Sequence, residues 1–222
     1  MIADVDVSPV AALLGDPARA RIAQALHDGR ALPAGELARR AGIRPSTASE
    51  HLAKLVDGRL LTVERTGRHR YFRLASAEVA HAIEALAAVA PPARPRSLRQ
   101  ATVGGALAAA RTCYDHLAGA LGVTLTDALL ARNALVERDG TFALGPASDE
   151  VLAALGIEAL PARRPPARRC LDWSERRPHV AGGIGAAICS RALEQHWVER
   201  LPGSRAVRLT ESGRNAFASL GL

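Results

Sequence analysis

Two groups of residues have types and spacings that can do chemistry. The first is Cys113, His116, Cys170 and His179, two thiols and two imidazoles. Thiolate and neutral imidazole are the ligands that soft or borderline divalent metals such as zinc take up. Cys113 and His116 are spaced i, i+3, so on a helix they point the same way, and residues 98–121 read as one long helix. Cys170 and His179 come from a second region. Asp172 beside them is an alternative ligand or a partner for a ligating imidazole. The spacing matches no known zinc signature, and the approach of Cys113 to Cys170 is assumed rather than read. Other roles suit the same residues. Cys113 shares its expected helix face with Ala106, Ala109, Ala110, Leu117 and Leu121, which describes a buried core thiol. A thiol beside a histidine also suits redox sensing, or a nucleophile with His116 or His179 as base. Tyr114, Asp172 and Trp173 could wall a pocket for a small organic ligand, and large aromatics fill cores equally well. Cys189 follows Ile184 and Ile188 and reads as core.

The second group lies in residues 44–74. Ala48, Leu52 and Leu55 recur at helical spacing from Pro45 onward. The opposite face carries Arg44, Ser46, Thr47, Ser49, Glu50, His51 and Lys54, short or flexible hydrogen-bonding groups suited to base edges in a major groove. Two strand-like runs follow, residues 60–63 and 71–74, and Gly67 supplies the turn between them. Five arginines against one acid, Glu64, lie between Arg59 and Arg73. Arg65, Arg68, His69 and Arg70 at the hairpin tip suit phosphates. Upstream, Asp16-Pro17 starts a helix with Asp16 as cap. Residues 33–41 and 45–55, joined by Gly42-Ile43-Arg44, form a helix-turn-helix.

These residues resemble the arsenic-repressor (ArsR-like) family of winged helix-turn-helix regulators. The likeness rests on Ser49-x-His51-Leu52-x-x-Leu55, Leu60-Leu61, Arg65-x-Gly67-Arg68 and Tyr71-Phe72-x-Leu74. Upstream it includes Leu14-Gly15-Asp16-Pro17-x-Arg19-x-x-Ile22 and Gly35-Glu36-Leu37-Ala38. It covers about the first ninety residues. One departure is Arg59, which stands where the family has a helix-ending glycine. The resemblance implies a homodimer, held by the first helix and by the helix near residues 78–89, on a pseudo-palindromic double-stranded DNA operator. Of the family's metal sites, the thiolate one lacks cysteines between Gly35 and Ala41. At the other, Glu78, His81 and Glu84 form only a partial set, better read as a solvated polar face.

A net charge of +7 and a pI near 10.5 agree with a polyanionic partner without establishing one. Aromatics make up only 3% of residues, so alanine and leucine must build the core. Three widely spaced cysteines make no disulfide framework, and neither a signal-peptide pattern nor a membrane-length apolar run is present. A cytoplasmic protein with reduced thiols and no membrane partner is expected. No glycine-rich phosphate loop, nucleophile elbow or metalloprotease motif argues for an enzyme.

Prolines at 91, 92 and 95 break the chain. The expected division is a DNA-binding and dimerisation domain over 1–90, a linker over 91–97, and a sensory or dimerisation domain over 98–222. The expected fold is mainly α with small β-hairpins. In the second domain, helices are expected at 126–133, 149–155 and 178–193, and hairpins turn at Asp139-Gly140 and Pro202-Gly203. The closing helix, hairpin and Leu-Thr-x-x-Gly helix resemble half of a MarR- or PadR-type winged helix. That suggests a second winged-helix-like domain without establishing an internal repeat. The function expected is a dimeric repressor released by an organic, metal or oxidative signal sensed past residue 97. An architectural DNA-binding protein without an effector is the alternative.

Overall fold

The computed structural model describes residues 5–67, 69–91, 95, 97–162, 164–218 and 220–221. Contacts divide the chain into two units, Met1–Ile83 and Glu84–Leu222. The fold is mainly helical with small antiparallel hairpins. Among the described residues no helix is long and apolar enough to cross a membrane.

The first unit runs α1 (Ser8–Leu14), α2 (Pro17–Ala25), β1 (Leu32–Pro33), α3 (Ala34–Ala41), α4 (Pro45–Asp57), β2 (Leu61–Thr66) and β3 (His69–Leu74), and ends within α5 (Ala77–Val89). Asp16 Oδ1 accepts from the Ala18 and Arg19 amides, both at 2.9 Å, so α2 begins at the expected cap. Ala48, Leu52 and Leu55 are the buried face of α4, packed in a core with Ile22, Leu26, Leu37 and Phe72. The sheet order is β1-β3-β2. Its strands are longer than the sequence suggested, because residues 64–66 and 69–70 pair in register rather than forming a loop. After α4 the left-handed residue is Arg59, with φ +58. At Gly58 an added Cβ would lie 2.1 Å from Leu13 Cδ1, which would have to shift, and the left-handed turn conformation falls on the next residue.

The second unit opens with the rest of α5 and with α6 (Leu98–Ala109), then β4 (Arg111–Cys113), β5 (His116–Ala118), α7 (Gly119–Ala131), β6 (Leu135–Arg138), β7 (Thr141–Leu144) and α8 (Ser148–Ala154). It continues β8 (Arg168–Leu171), β9 (Pro178–Ala181), α9 (Gly182–Glu194), β10 (Val198–Arg200), β11 (Val207–Leu209) and α10 (Glu211–Ala218). The long helix read over 98–121 is therefore wrong. It stops at Ala109, Ala110 is extended at φ −158 and ψ 134, and a hairpin occupies 111–118. Likewise residues 178–181 are a strand and not the start of a helix.

From β4 onward the order hairpin, helix, hairpin, helix occurs twice. His116 and His179, Ala118 and Ala181, Gly119 and Gly182, Gly122 and Gly185, and Asn133 and His196 recur at a constant offset. The physical reasons recur too. Gly119 and Gly182 begin their helices at φ +76 and +82. Gly122 and Gly185 let each helix sit on its own hairpin, where a Cβ would meet Leu117 O at 2.5 Å and Val180 O at 2.6 Å. The halves exchange contacts: α7 packs on β9, and α9 packs on β5. Such reciprocity is the pattern of a two-fold contact.

Both tryptophans, Trp173 and Trp197, lie in the second unit, so fluorescence-monitored urea unfolding reports on it. Gly122→Ala forces a methyl into backbone and is expected to lose about 1–3 kcal/mol. Gly104→Ala, in α6 with open space around it, is expected to gain about 0.5–1 kcal/mol.

Candidate functional site

The first unit presents the polar residues of α4 outward because its apolar stripe is spent on the core. Arg44, Ser46, Ser49, Glu50 and Lys54 face solvent, and Thr47 is half-buried. Ser49 Oγ donates back to Pro45 O at 3.1 Å. His51 differs: its side chain is only 15% exposed and its Nδ1 lies 3.9 Å from the capping carboxylate of Asp16. It is turned toward the helix cap and away from the outer face. At the wing tip Arg65, His69 and Arg70 are exposed and, with Gly67, line an open groove. Arg65 stands directly opposite Arg70 in the strand register. Like charges placed so repel, and a polyanion between them relieves the repulsion. Arg68 lies outside the described residues.

In the second unit the four Cys and His residues come together, by a different local route from the one the sequence suggested. Cys113 and His116 are not helical neighbours but a cross-strand pair closing the β4–β5 hairpin, with Tyr114 at φ +59 in its two-residue turn. Cys170 and His179 are the matching pair of the β8–β9 hairpin. The two Sγ atoms are 4.0 Å apart and the two Nε2 atoms 3.1 Å apart. All four donor atoms lie within 4.8 Å of one another, and all four residues are buried. Cys113, Cys170, Ala118 and Ala181, which are repeat counterparts, form the small apolar cluster around them.

A carboxylate stands behind each imidazole. His116 Nδ1 is 3.2 Å from Asp115 Oδ1, and His179 Nδ1 faces Asp172 Oδ2 at 3.5 Å. Each aspartate follows its cysteine by two positions, a Cys-x-Asp repeat that the sequence displays at Cys113–Asp115 and Cys170–Asp172. Burial pushes the His116 imidazole toward its neutral form, but Asp115 and the Cys170 sulfur outweigh it and raise its pKa. The Cys170 thiol is held well below its ordinary range, first by the hydrogen bond from Cys113, whose own thiol is raised by the same contact and by burial. Cys189 sits in the main core, where burial pushes its thiol up to about 12.

One residue that the sequence did not single out, Arg111, positions this arrangement. Arg111 is fully buried, its Nη2 2.9 Å from Asp172 Oδ2 and 3.4 Å from Glu84 Oε1. Its Nη1 donates to Ser174 Oγ at 2.9 Å, and its guanidinium lies 4.4 Å over the Trp173 ring. Glu84 is thus buried in an ion pair, contrary to the solvated face expected of it. Asp115, the partner of His116, is also bridged by Arg164. Of the residues read as pocket walls, Asp172 is buried and committed: it accepts from the Gly119 amide at 2.6 Å and from Ser174 and Glu175. Trp173 is engaged with Arg111, and Tyr114 forms the hairpin turn. Burial opposes ionisation of Asp172, yet Arg111 and these donors hold its carboxyl well below the usual carboxylate range. Asp172→Ala would remove the nearer of the two carboxylates of buried Arg111, leaving Glu84 at 3.4 Å, and a loss of about 3–5 kcal/mol is expected in urea unfolding followed by tryptophan fluorescence.

A Helix-turn-helix domain family matches residues 14–64. Over 96% of its length the chain is 45% identical to YdfF of Bacillus subtilis (strain 168), named as an uncharacterized HTH-type transcriptional regulator, and it covers 95% of that protein. Among solved structures, the cadmium metal-sensor CMTR from Mycobacterium tuberculosis is 31% identical, matching 40% of this chain and 93% of that one with a TM-score of 0.34. The homodimeric winged helix-turn-helix domain of Mb0332 from Mycobacterium bovis, a possible ArsR-family regulator, is 26% identical over 39% of this chain and 86% of that one, also at 0.34. The near full-length relative, the matched helix-turn-helix and the wing that follows it lead to one assignment: the chain belongs to the HTH-type transcriptional regulators and carries a winged helix-turn-helix in its first unit.

Proposed function

We propose that this DNA-binding regulator acts in the cytoplasm as a two-fold dimeric repressor on a pseudo-palindromic operator, and that an effector sensed in the second unit releases it. One observation carries the DNA-binding geometry. The polar face of α4 is free of core packing, while an exposed arginine pair faces itself across the wing. A recognition helix in the major groove and a cationic hairpin on the backbone use those features directly.

Apolar surface supports the dimer. Helix α1 buries none of its residues in the single chain, and Val10 is 41% exposed. On α5, Leu86 and Val89 are 53% and 82% exposed. A second copy would remove such side chains from water. The division of chemistry supports the sensing role: the groups suited to DNA lie in the first unit, and the buried thiol and imidazole cluster lies in the second.

With an operator selected from random duplexes, Arg70→Ala is expected to weaken binding to every sequence and to lower the slope of log affinity against log salt by about 1. Ser46→Ala is expected to cost about 1 kcal/mol on the selected operator and nothing on unrelated DNA. Unchanged affinity and salt slope for Arg70→Ala would remove the wing from the interface. Leu86→Glu combined with Val89→Glu is expected to give a monomer in sedimentation equilibrium. A persistent dimer would place the interface elsewhere.

A further inference from the structure

Cys113, His116, Cys170 and His179 face one another from two equivalent hairpins, one thiol and one imidazole from each. An ion with metal–sulfur bonds of ~2.3 Å and metal–nitrogen bonds of ~2.0 Å in a tetrahedron sets its sulfurs ~3.8 Å and its nitrogens ~3.3 Å apart. The distances here are 4.0 Å and 3.1 Å. Both like-atom pairs are thus within a few tenths of an ångström of the values for such an ion, and all four donor atoms lie within 4.8 Å of one another.

The imidazoles point to the same conclusion by their tautomers. A carboxylate at Nδ1 favours the proton on that nitrogen: His116 has Asp115 there in a 3.2 Å hydrogen bond, and the Asp172 carboxylate lies 3.5 Å from His179 Nδ1 without hydrogen-bonding to it. The two Nε2 atoms face each other at 3.1 Å between buried rings, a contact that either one proton or one shared cation fills. With the proton on each Nδ1, both Nε2 lone pairs are available to one cation between them. The aspartates complete a carboxylate–imidazole arrangement behind each of the two nitrogen donors, as metal-ligating histidines commonly have.

We propose that these four residues bind a soft or borderline divalent metal, zinc being the best match, in a closed Cys2His2 centre that clamps the two repeats of the second unit. Four protein donors leave no open coordination position, so the centre holds structure or reports metal occupancy and does not activate water. Asp115 and Asp172 are positioning residues that fix the ring tautomers. Both sulfurs bind as thiolates, and any proton still on them passes to solvent. This site is independent of operator contacts, and its failure would leave the DNA-binding reading intact.

The test uses the full chain, purified reduced, with zinc and cobalt(II) ions as the probes. Elemental analysis is expected to show zinc in equimolar amount. Cobalt(II) is expected to give the intense visible d–d bands of a tetrahedral ion together with thiolate charge-transfer absorption. Cys170→Ser and His179→Asn should lose the equimolar metal, whereas Cys189→Ser should keep it. Asp115→Asn, at a half-buried turn where folding is not at risk, should bind zinc about 10–100-fold more weakly. A wild-type chain that takes up neither ion, or only a Cys113–Cys170 disulfide in place of metal, would overturn the proposal. So would zinc retained by both Cys170→Ser and His179→Asn, or cobalt bands of octahedral weakness without thiolate absorption.

Discussion

The carboxylate of Asp172 is the point on which the second unit depends. It is fully buried, and a lone buried charge is among the costliest things a protein can contain. Here it is answered from several elements at once. Arg111 reaches it from β4, the Gly119 amide from the start of α7, and Ser174 and Glu175 from the turn after β8. His179 stands on its remaining side. Each partner pins a different segment, so one anion fixes where the first hairpin ends, where α7 begins and how the second hairpin lies against both. Arg111 is charged and buried in turn, and Glu84, Leu107, Ser174 and the Trp173 ring share its load.

That dependence explains why the two units were unequally legible in the sequence. The first is governed by local rules. The Asp16-Pro17 cap, the Ala48, Leu52 and Leu55 stripe and the Gly67 turn each act within a few residues, and each holds in the structure. In the second, residues 98–121 are rich in alanine, leucine and glycine, and their periodicity is satisfied by a continuous helix. The break at 110–118 comes from contacts far along the chain: Arg111 must reach Asp172, and Gly119 must pass under the Ala108 carbonyl at a distance no side chain allows. Such constraints leave little trace in local composition.

The Cys and His set was nevertheless legible, for a geometrical reason. Residues three apart meet on one helix face, and they also meet across a two-residue hairpin turn. Cys113 and His116 satisfy both, so the grouping survives the wrong secondary structure. The repeat was in the sequence as well, in the paired Cys-x-Asp steps and in His-x-Ala-Gly-x-x-Gly at His116 and His179. The longer second turn between Cys170 and His179 disguises it. His51 shows the opposite limit: its spacing suited the outer face of α4, but its side chain is only 15% exposed, with Nδ1 3.9 Å from the Asp16 carboxylate.

The central claim is that two copies of one hairpin–helix unit meet at a metal centre, each supplying a sulfur and a nitrogen. X-ray absorption at the zinc edge of the full-length protein tests it most directly. The account predicts a mixed first shell, sulfur at ~2.3 Å and imidazole nitrogen at ~2.0 Å in equal number. A shell of oxygen and nitrogen alone, or of sulfur alone, would contradict it.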